Sequence, residues 1–191
     1  MMTSDALQQP KKATAALVLR DGTVFWGKSL GKKVSSASEI CFNTGLTGYQ
    51  EVLTDPSYAG QSIVFTFPHI GIVGANSEDM ETAKAKSKGA IFSADITAPS
   101  SWRAEQDLDA WLKSQDLPAI AGIDTRRLTR MLRDGGAQDC VILHGDETGR
   151  VDLAEAEPLL AAWTGLEGLD LAAEVSCKQA YSWDTMPWSL N

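Results

Sequence analysis

Between Ala13 and Gly31 the chain reads ATAALVLRDGTVFWGKSLG, two runs rich in aliphatic, aromatic and β-branched residues that meet at Asp21-Gly22. An Asp-Gly step flanked by such runs is the strongest short-range hairpin signal a sequence offers. The pattern then recurs as EICFN (39–43), SIVFTF (62–67), GAIFSAD (89–95), AIAGI (119–123) and CVILH (140–144). About seven short strands are therefore expected, and a fold built mainly on helices is excluded.

The longer helical patterns lie in the gaps between the last three strands and in the tail. In 101–115, Ala104, Leu108, Trp111 and Leu112 share one face, with Ser100 or Ser101 as the expected cap. In 125–134, Leu128, Met131 and Leu132 form the apolar face, Asp124 is the expected N-cap, and Gly135-Gly136 ends the helix. Both helices are expected to cover a sheet, giving an α+β class. The tail DLAEAEPLLAAWTGLEGLDLAAEV reads as two short helices separated by Gly165 and Gly168, provided that Pro158 sits in a first turn. The first dozen residues are polar and expected to fray, leaving 13–191 as the domain. The closing AYSWDTMPWSLN is polar and aromatic, with no domain expected after it.

At 191 residues, 43% hydrophobic and 22% charged, the chain has ordinary globular composition and is long enough for a self-supporting core. No apolar run approaches the roughly 20 residues that span a bilayer, and the start lacks the apolar core of a signal peptide, so a soluble, cytoplasmic protein is expected. Three widely separated cysteines, Cys41, Cys140 and Cys177, suit a reducing compartment and read as buried small hydrophobes. The net charge of −8 is uneven: residues 11–33 carry six Lys/Arg against one Asp, and 145–191 carry nine acids against two bases. A polyanion is repelled by the whole, so a protein partner is favoured over nucleic acid or a membrane.

Several patterns invite chemistry. Gly22–Ser29, GTVFWGKS, matches G-x-x-x-x-G-K-[ST], a nucleotide-binding P-loop. That loop needs flexible backbone around phosphate and a helix immediately after it, whereas Thr-Val-Phe-Trp favours a strand and LGKKVSS has no helical period. Asp55, Ser57 and His69 suggest a hydrolase, yet Ser57 lies in no nucleophile elbow, and Asp55-Pro56-Ser57-Tyr58 reads better as a turn in which Asp55 bonds back to the main chain. Two histidines and no paired Cys/His spacing argue against a metal site. Arg126, Arg130 and Arg133, widened by Arg127, form a stripe opposite the apolar face of their helix. It is either a solvated face or an anion or partner site, and arginine favours bidentate carboxylate contacts.

LTGYQEVLTDPSYAGQ (46–61) is dense in turn and hydrogen-bonding residues yet holds no His or Cys. Thr47-Gly-Tyr-Gln50 reads as a capping box that starts a helix of about two turns, held by Leu46, Tyr49 and Leu53 and ended at Asp55 by Pro56. Ser57 and Tyr58 then project from a fixed place.

FNTGLTGYQEVLTDPSYAGQ with FPHIG, then GIDTRRLTRMLRDGGAQ, then GLDLAAEVS with AYSW, together resemble the N-terminal domain of the small, glutamine-hydrolysing chain of carbamoyl-phosphate synthetase, from about Ala15 to Trp183. The resemblance implies a swivelling β/β/α three-layer fold. It also implies a role in an ATP-dependent ligase that takes ammonia from glutamine to make carbamoyl phosphate for arginine and pyrimidine synthesis. In that family the nucleophile belongs to a class I glutamine amidotransferase domain, which is not expected within these residues, so the segment alone is expected to be inactive. ATP and Mg belong to the large subunit, the partner in a heterodimer, and none is expected here. By resemblance Ser57 reaches the glutamine pocket across a domain boundary, and Arg126, Arg127, Arg130 and Arg133 are possible contacts to the large chain. After PHIG the family usually has Asn where this chain has Ile72, so no role passes to that position. The other readings are a P-loop protein using Gly22–Ser29 and a non-catalytic module that regulates the large chain.

Overall fold

The computed structural model describes residues 8–182. The strands are β1 (Ala15–Leu19), β2 (Val24–Gly31), β3 (Ser36–Asn43), β4 (Gln61–Phe65), β5 (Gly89–Ile91), β6 (Pro118–Ala121) and β7 (Gln138–His144). Every expected strand is present. The helices are α1 (Tyr49–Thr54), α2 (Leu108–Ser114), α3 (Thr125–Gly135), α4 (Ala156–Ala162) and α5 (Leu171–Val175).

The strands close into a barrel in the order β1-β2-β6-β5-β4-β3-β7. The β1–β2, β1–β7, β2–β6 and β3–β7 pairs are antiparallel, and β3–β4, β4–β5 and β5–β6 are parallel. The expected α+β class holds, with the sheet closed on itself. All seven strands send a residue into one apolar cluster: Leu17, Phe25, Ile40, Val64, Ile91, Ile120 and Ile142. That cluster fills the barrel, and Leu128 and Leu132 of α3 join it as a plug.

The residues that alternate with these point outward into two further clusters. Ile63, Phe65, Ala90, Phe92, Ala119 and Ala121 pack against Tyr49 and Leu53 of α1 and Leu108, Trp111 and Leu112 of α2. Val18, Val141 and Leu143 pack against Ala156 and Leu160 of α4. Strands buried on both faces account for the continuous apolar runs in the sequence.

Three expectations fail. α2 starts at Leu108, capped by Asp107, whose carboxylate accepts from the Ala110 N–H at 2.9 Å. The residues before it, including Ala104, are tied instead to the 72–77 segment: the Ser100 N–H donates to the Ile72 carbonyl at 2.9 Å, and Ala75 bridges Gln106. The N-terminal tail is anchored from Gln9, whose amide donates to the carbonyls of Ala13 (2.8 Å) and Gly149 (2.6 Å) and accepts from the Val151 N–H (3.0 Å); residues 1–7 lie outside the described residues. Of the cysteines only Cys140 is buried; Cys41 is half-buried and Cys177 exposed.

Where the tail is described it agrees with expectation. A 3₁₀ turn, Leu153–Glu155, leads into α4 with Pro158 in its first turn, and Gly165 and Gly168 separate α4 from α5. The end of AYSWDTMPWSLN, from 183, lies outside the described residues.

Candidate functional site

α1 is short, and its position comes from contacts with the chain around it. No side chain caps it: Gly48 is the N-cap, with φ 80°, a conformation glycine adopts without strain, and its carbonyl accepts from the Val52 N–H at 3.0 Å. The expected Thr47–Gln50 capping box is therefore absent. The Gln50 side chain turns inward, donating to the Asn76 carbonyl at 2.5 Å and accepting from the Asn76 N–H at 3.0 Å. The Tyr49 hydroxyl donates to the Gly74 carbonyl at 2.5 Å, and the Thr54 hydroxyl accepts from the Glu81 N–H at 2.9 Å. Burial, with Glu51 nearby, pushes the Tyr49 phenol well above its usual range, so it stays a donor. Of the residues expected to hold the helix, Tyr49 and Leu53 are buried, while Leu46 is 70% exposed.

The end of α1 follows the sequence closely. Asp55 is extended (φ −65°, ψ 123°), as a residue before proline prefers. Its carboxylate accepts from the Ser57 N–H at 2.8 Å and its carbonyl from the Tyr58 N–H at 3.1 Å, which closes a 3₁₀ turn, Pro56–Tyr58. The Tyr58 hydroxyl accepts from the Asn43 amide at 3.2 Å, tying the turn to the end of β3. Gly60 lies against Leu166, so the turn is braced from the tail as well. Ser57 is exposed, and its hydroxyl forms no hydrogen bond among the described residues. It is a free hydroxyl on a rigid mount.

No triad forms around it. The Asp55 carboxylate is engaged by backbone, and His69, exposed, packs edge-on against Phe67 with centroids 5.8 Å apart. Cys140, whose thiol burial pushes up to about 12, and Cys41, pushed up to about 11 by burial and Glu39, are held as thiols and are poor nucleophiles. Among the described residues no group of three or more His, Cys, Asp and Glu could hold a metal ion.

The P-loop match dissolves into β2. Ser29 donates its N–H to Thr14 Oγ1 at 2.9 Å and contacts His144 Nδ1 through its hydroxyl; Lys28 pairs with Asp95 at 2.5 Å. Gly27 is explained by packing, because a Cβ there would lie 2.4 Å from the Ala121 carbonyl oxygen on the paired strand β6.

At the N-terminal end of α1 lies a depression of about 220 Å³ lined by Thr47, Glu51, Asp79 and Arg103 among others. Burial raises the Glu51 carboxyl, and Arg103 pairs with Asp79 at 2.6 Å and Glu78 at 3.1 Å. Neither Arg103 nor the Gln50–Asn76 clamp is among the sequence-derived candidates, since each depends on a partner more than 20 residues away.

α3 matches expectation: Asp124 caps it through the Arg127 N–H at 2.8 Å, Leu128 and Leu132 are buried, Met131 is half-buried, and Gly136 ends it. Arg126, Arg127, Arg130 and Arg133 are all exposed on its outer face, away from Ser57's turn in sequence and carried by a different element.

Comparison with known proteins bears on both features. A family model described as carbamoyl-phosphate synthase small chain, CPSase domain, matches residues 17–142, which include α1, the Ser57 turn and α3. The carbamoyl phosphate synthase small chains of Brucella anthropi, Brucella canis and Brucella suis are each 54% identical over 184 residues, covering 94% of this chain and 45% of theirs. The chain thus spans about half the length of the curated relatives it matches. With a family match that spans the Ser57 turn and the arginine helix, and 54% identity to curated relatives over 94% of its length, the chain belongs to the carbamoyl-phosphate synthase small chain family, which it matches through the CPSase domain.

Proposed function

We propose that this chain is the N-terminal, structural and docking part of a glutamine-dependent carbamoyl-phosphate synthase small chain, and that Ser57 forms one wall of a glutamine pocket completed by an amidotransferase domain. On this reading the barrel with its covering helices is the swivelling β/β/α domain of the family. The segment has no nucleophile of its own and releases no ammonia alone. The assembled cytoplasmic heterodimer, an ATP-dependent ligase with ATP and Mg on its large subunit, supplies carbamoyl phosphate to arginine and pyrimidine synthesis. The arginine face of α3 contributes to the contact with the large subunit.

The observation that carries the reading is the exposed, unengaged Ser57 hydroxyl on a turn fixed by Pro56, Asp55 and Tyr58. A positioned hydroxyl adds a hydrogen bond to a ligand at little ordering cost. Ser57→Ala in a full-length small chain assembled with its large chain is expected to lower glutamine-dependent kcat/KM by about 3- to 10-fold, the worth of roughly one hydrogen bond. Ammonia-dependent synthesis stays unchanged. Unaltered glutamine kinetics would refute the role of Ser57, and equal loss with ammonia would point to a structural or regulatory part instead.

A further inference from the structure

The four arginines of α3 are not equivalent. Arg127 is occupied, its guanidinium carbon 5.0 Å from the centroid of the Phe25 ring. Arg133 is neutralised by its neighbour, with Nε 2.8 Å from Asp134 Oδ1; that hydrogen bond raises the guanidinium and lowers the carboxyl. Arg126 and Arg130 form no hydrogen bond or ion pair among the described residues, although Arg130 lies near enough to Asp134 to stabilise its charge. Arg126 and Arg130 flank an open groove of about 530 Å³, lined also by Arg127, Asp124, Met131 and Asp134.

Two like charges one turn apart weaken a helix, and Asp134, which Arg133 already holds, relieves Arg130 only in part. Here the repulsion stands on a rigid support, since Asp124 caps α3 and Leu128 and Leu132 anchor it in the barrel. The Cα atoms of Arg126 and Arg130 are about 6 Å apart along the axis, four residues at the helical rise. Acids four residues apart on a facing helix have the same spacing, and each guanidinium takes a carboxylate through two parallel hydrogen bonds. The net charge of −8 sets the rest of the molecule against a nucleic acid, while a protein with a local acidic face meets this patch favourably.

We infer that Arg126 and Arg130 receive an acidic helix of the partner protein, two carboxylates one turn apart, while Arg127 and Arg133 serve the domain itself. The inference rests on the reading of this chain as a docking domain, and the partner is then the synthase large chain.

The test is binding of this 191-residue chain to a purified synthase large chain at low and moderate salt, with melting curves to confirm folding of each variant. Arg126→Glu/Arg130→Glu is expected to weaken binding at least 10-fold, and the double lysine variant, which keeps charge and loses the fork, to fall between. Arg133→Glu is expected to stay within about 2-fold of wild type. A double variant that binds like wild type, or an equal loss from Arg133→Glu, overturns the assignment and leaves the docking domain standing. No binding by wild type instead overturns docking on the large chain. The arginine Nε–Hε NMR signals then decide the rest, titrated with a helical peptide carrying Glu at i and i+4 and, separately, with a DNA duplex. Shifts confined to Arg126 and Arg130 with the peptide support the acidic-helix site, whereas no shifts, or equal shifts with DNA, overturn it.

Discussion

At Gln50 one buried side-chain amide closes a pair of hydrogen bonds with the backbone of Asn76, 26 residues along the chain. Gln50→Ala leaves a buried N–H and carbonyl without partners, and an unfolding free energy lower by about 1–3 kcal/mol is expected in urea titration. Loss below 0.5 kcal/mol would show that water replaces the amide. The sequence around Gln50 suggests a different role, because Thr-x-x-Gln has the spacing of a capping box. Local spacing names the residues able to make a bond but cannot show a competitor that folding brings from far away. The Asp55 bond to the Ser57 N–H is legible for the opposite reason, since donor and acceptor are two residues apart and proline fixes the chain between them. The neighbours of Ser57 show that it projects from a fixed turn, while its place in a glutamine pocket comes from the resemblance alone.

Elements follow the same division. α3 is readable at both ends, from Asp124 to Gly136, because its cap, its apolar period and its stop are all local. The start of α2 is not, because the six residues before Asp107 that carry a helical period are pinned to the 72–77 segment, and tertiary hydrogen bonds outweigh weak propensity. β2 gives the sharpest contrast between pattern and physics. Gly27 and Lys28 both belong to the phosphate-binding pattern, but only Gly27 matters to the strand. Gly27→Ala is expected to destabilise the protein by about 1–3 kcal/mol or more through collision with the Ala121 carbonyl. Lys28→Ala, which removes an ion pair whose side chains are 50% and 62% exposed, is expected to cost at most about 1 kcal/mol. Thermal melting of the two variants side by side checks the ranking, and equal shifts would contradict the packing account.

For the whole molecule, the number of strands and their places along the chain are legible, but their order in the sheet and its closure into a barrel are not. Alternation marks the faces of each strand, while the partners of β7 depend on pairings more than 100 residues apart for β1 and about 100 for β3. The same closure half-buries His144 on β7, and that burial, with Lys33, pulls its imidazole down to about 4 from the ordinary 6.5. Protons therefore bind the unfolded chain better. Stability from this residue is complete above pH 6.5 and falls as pH drops toward 4, by up to about 3 kcal/mol. His144→Gln is expected to lose less stability than wild type between pH 7.5 and 4.5 in denaturant titrations, and identical pH profiles would rule this out. β7 is also the last of the seven described barrel strands to be synthesised, and it pairs with both β1 and β3. On the ribosome, then, two strand edges must wait unpaired until His144 emerges, so nascent chains shorter than that carry the hazard of edge-to-edge association. A single late strand acts as the keystone, and the timing of translation, besides the stability of the finished barrel, is expected to affect how much of the chain reaches it.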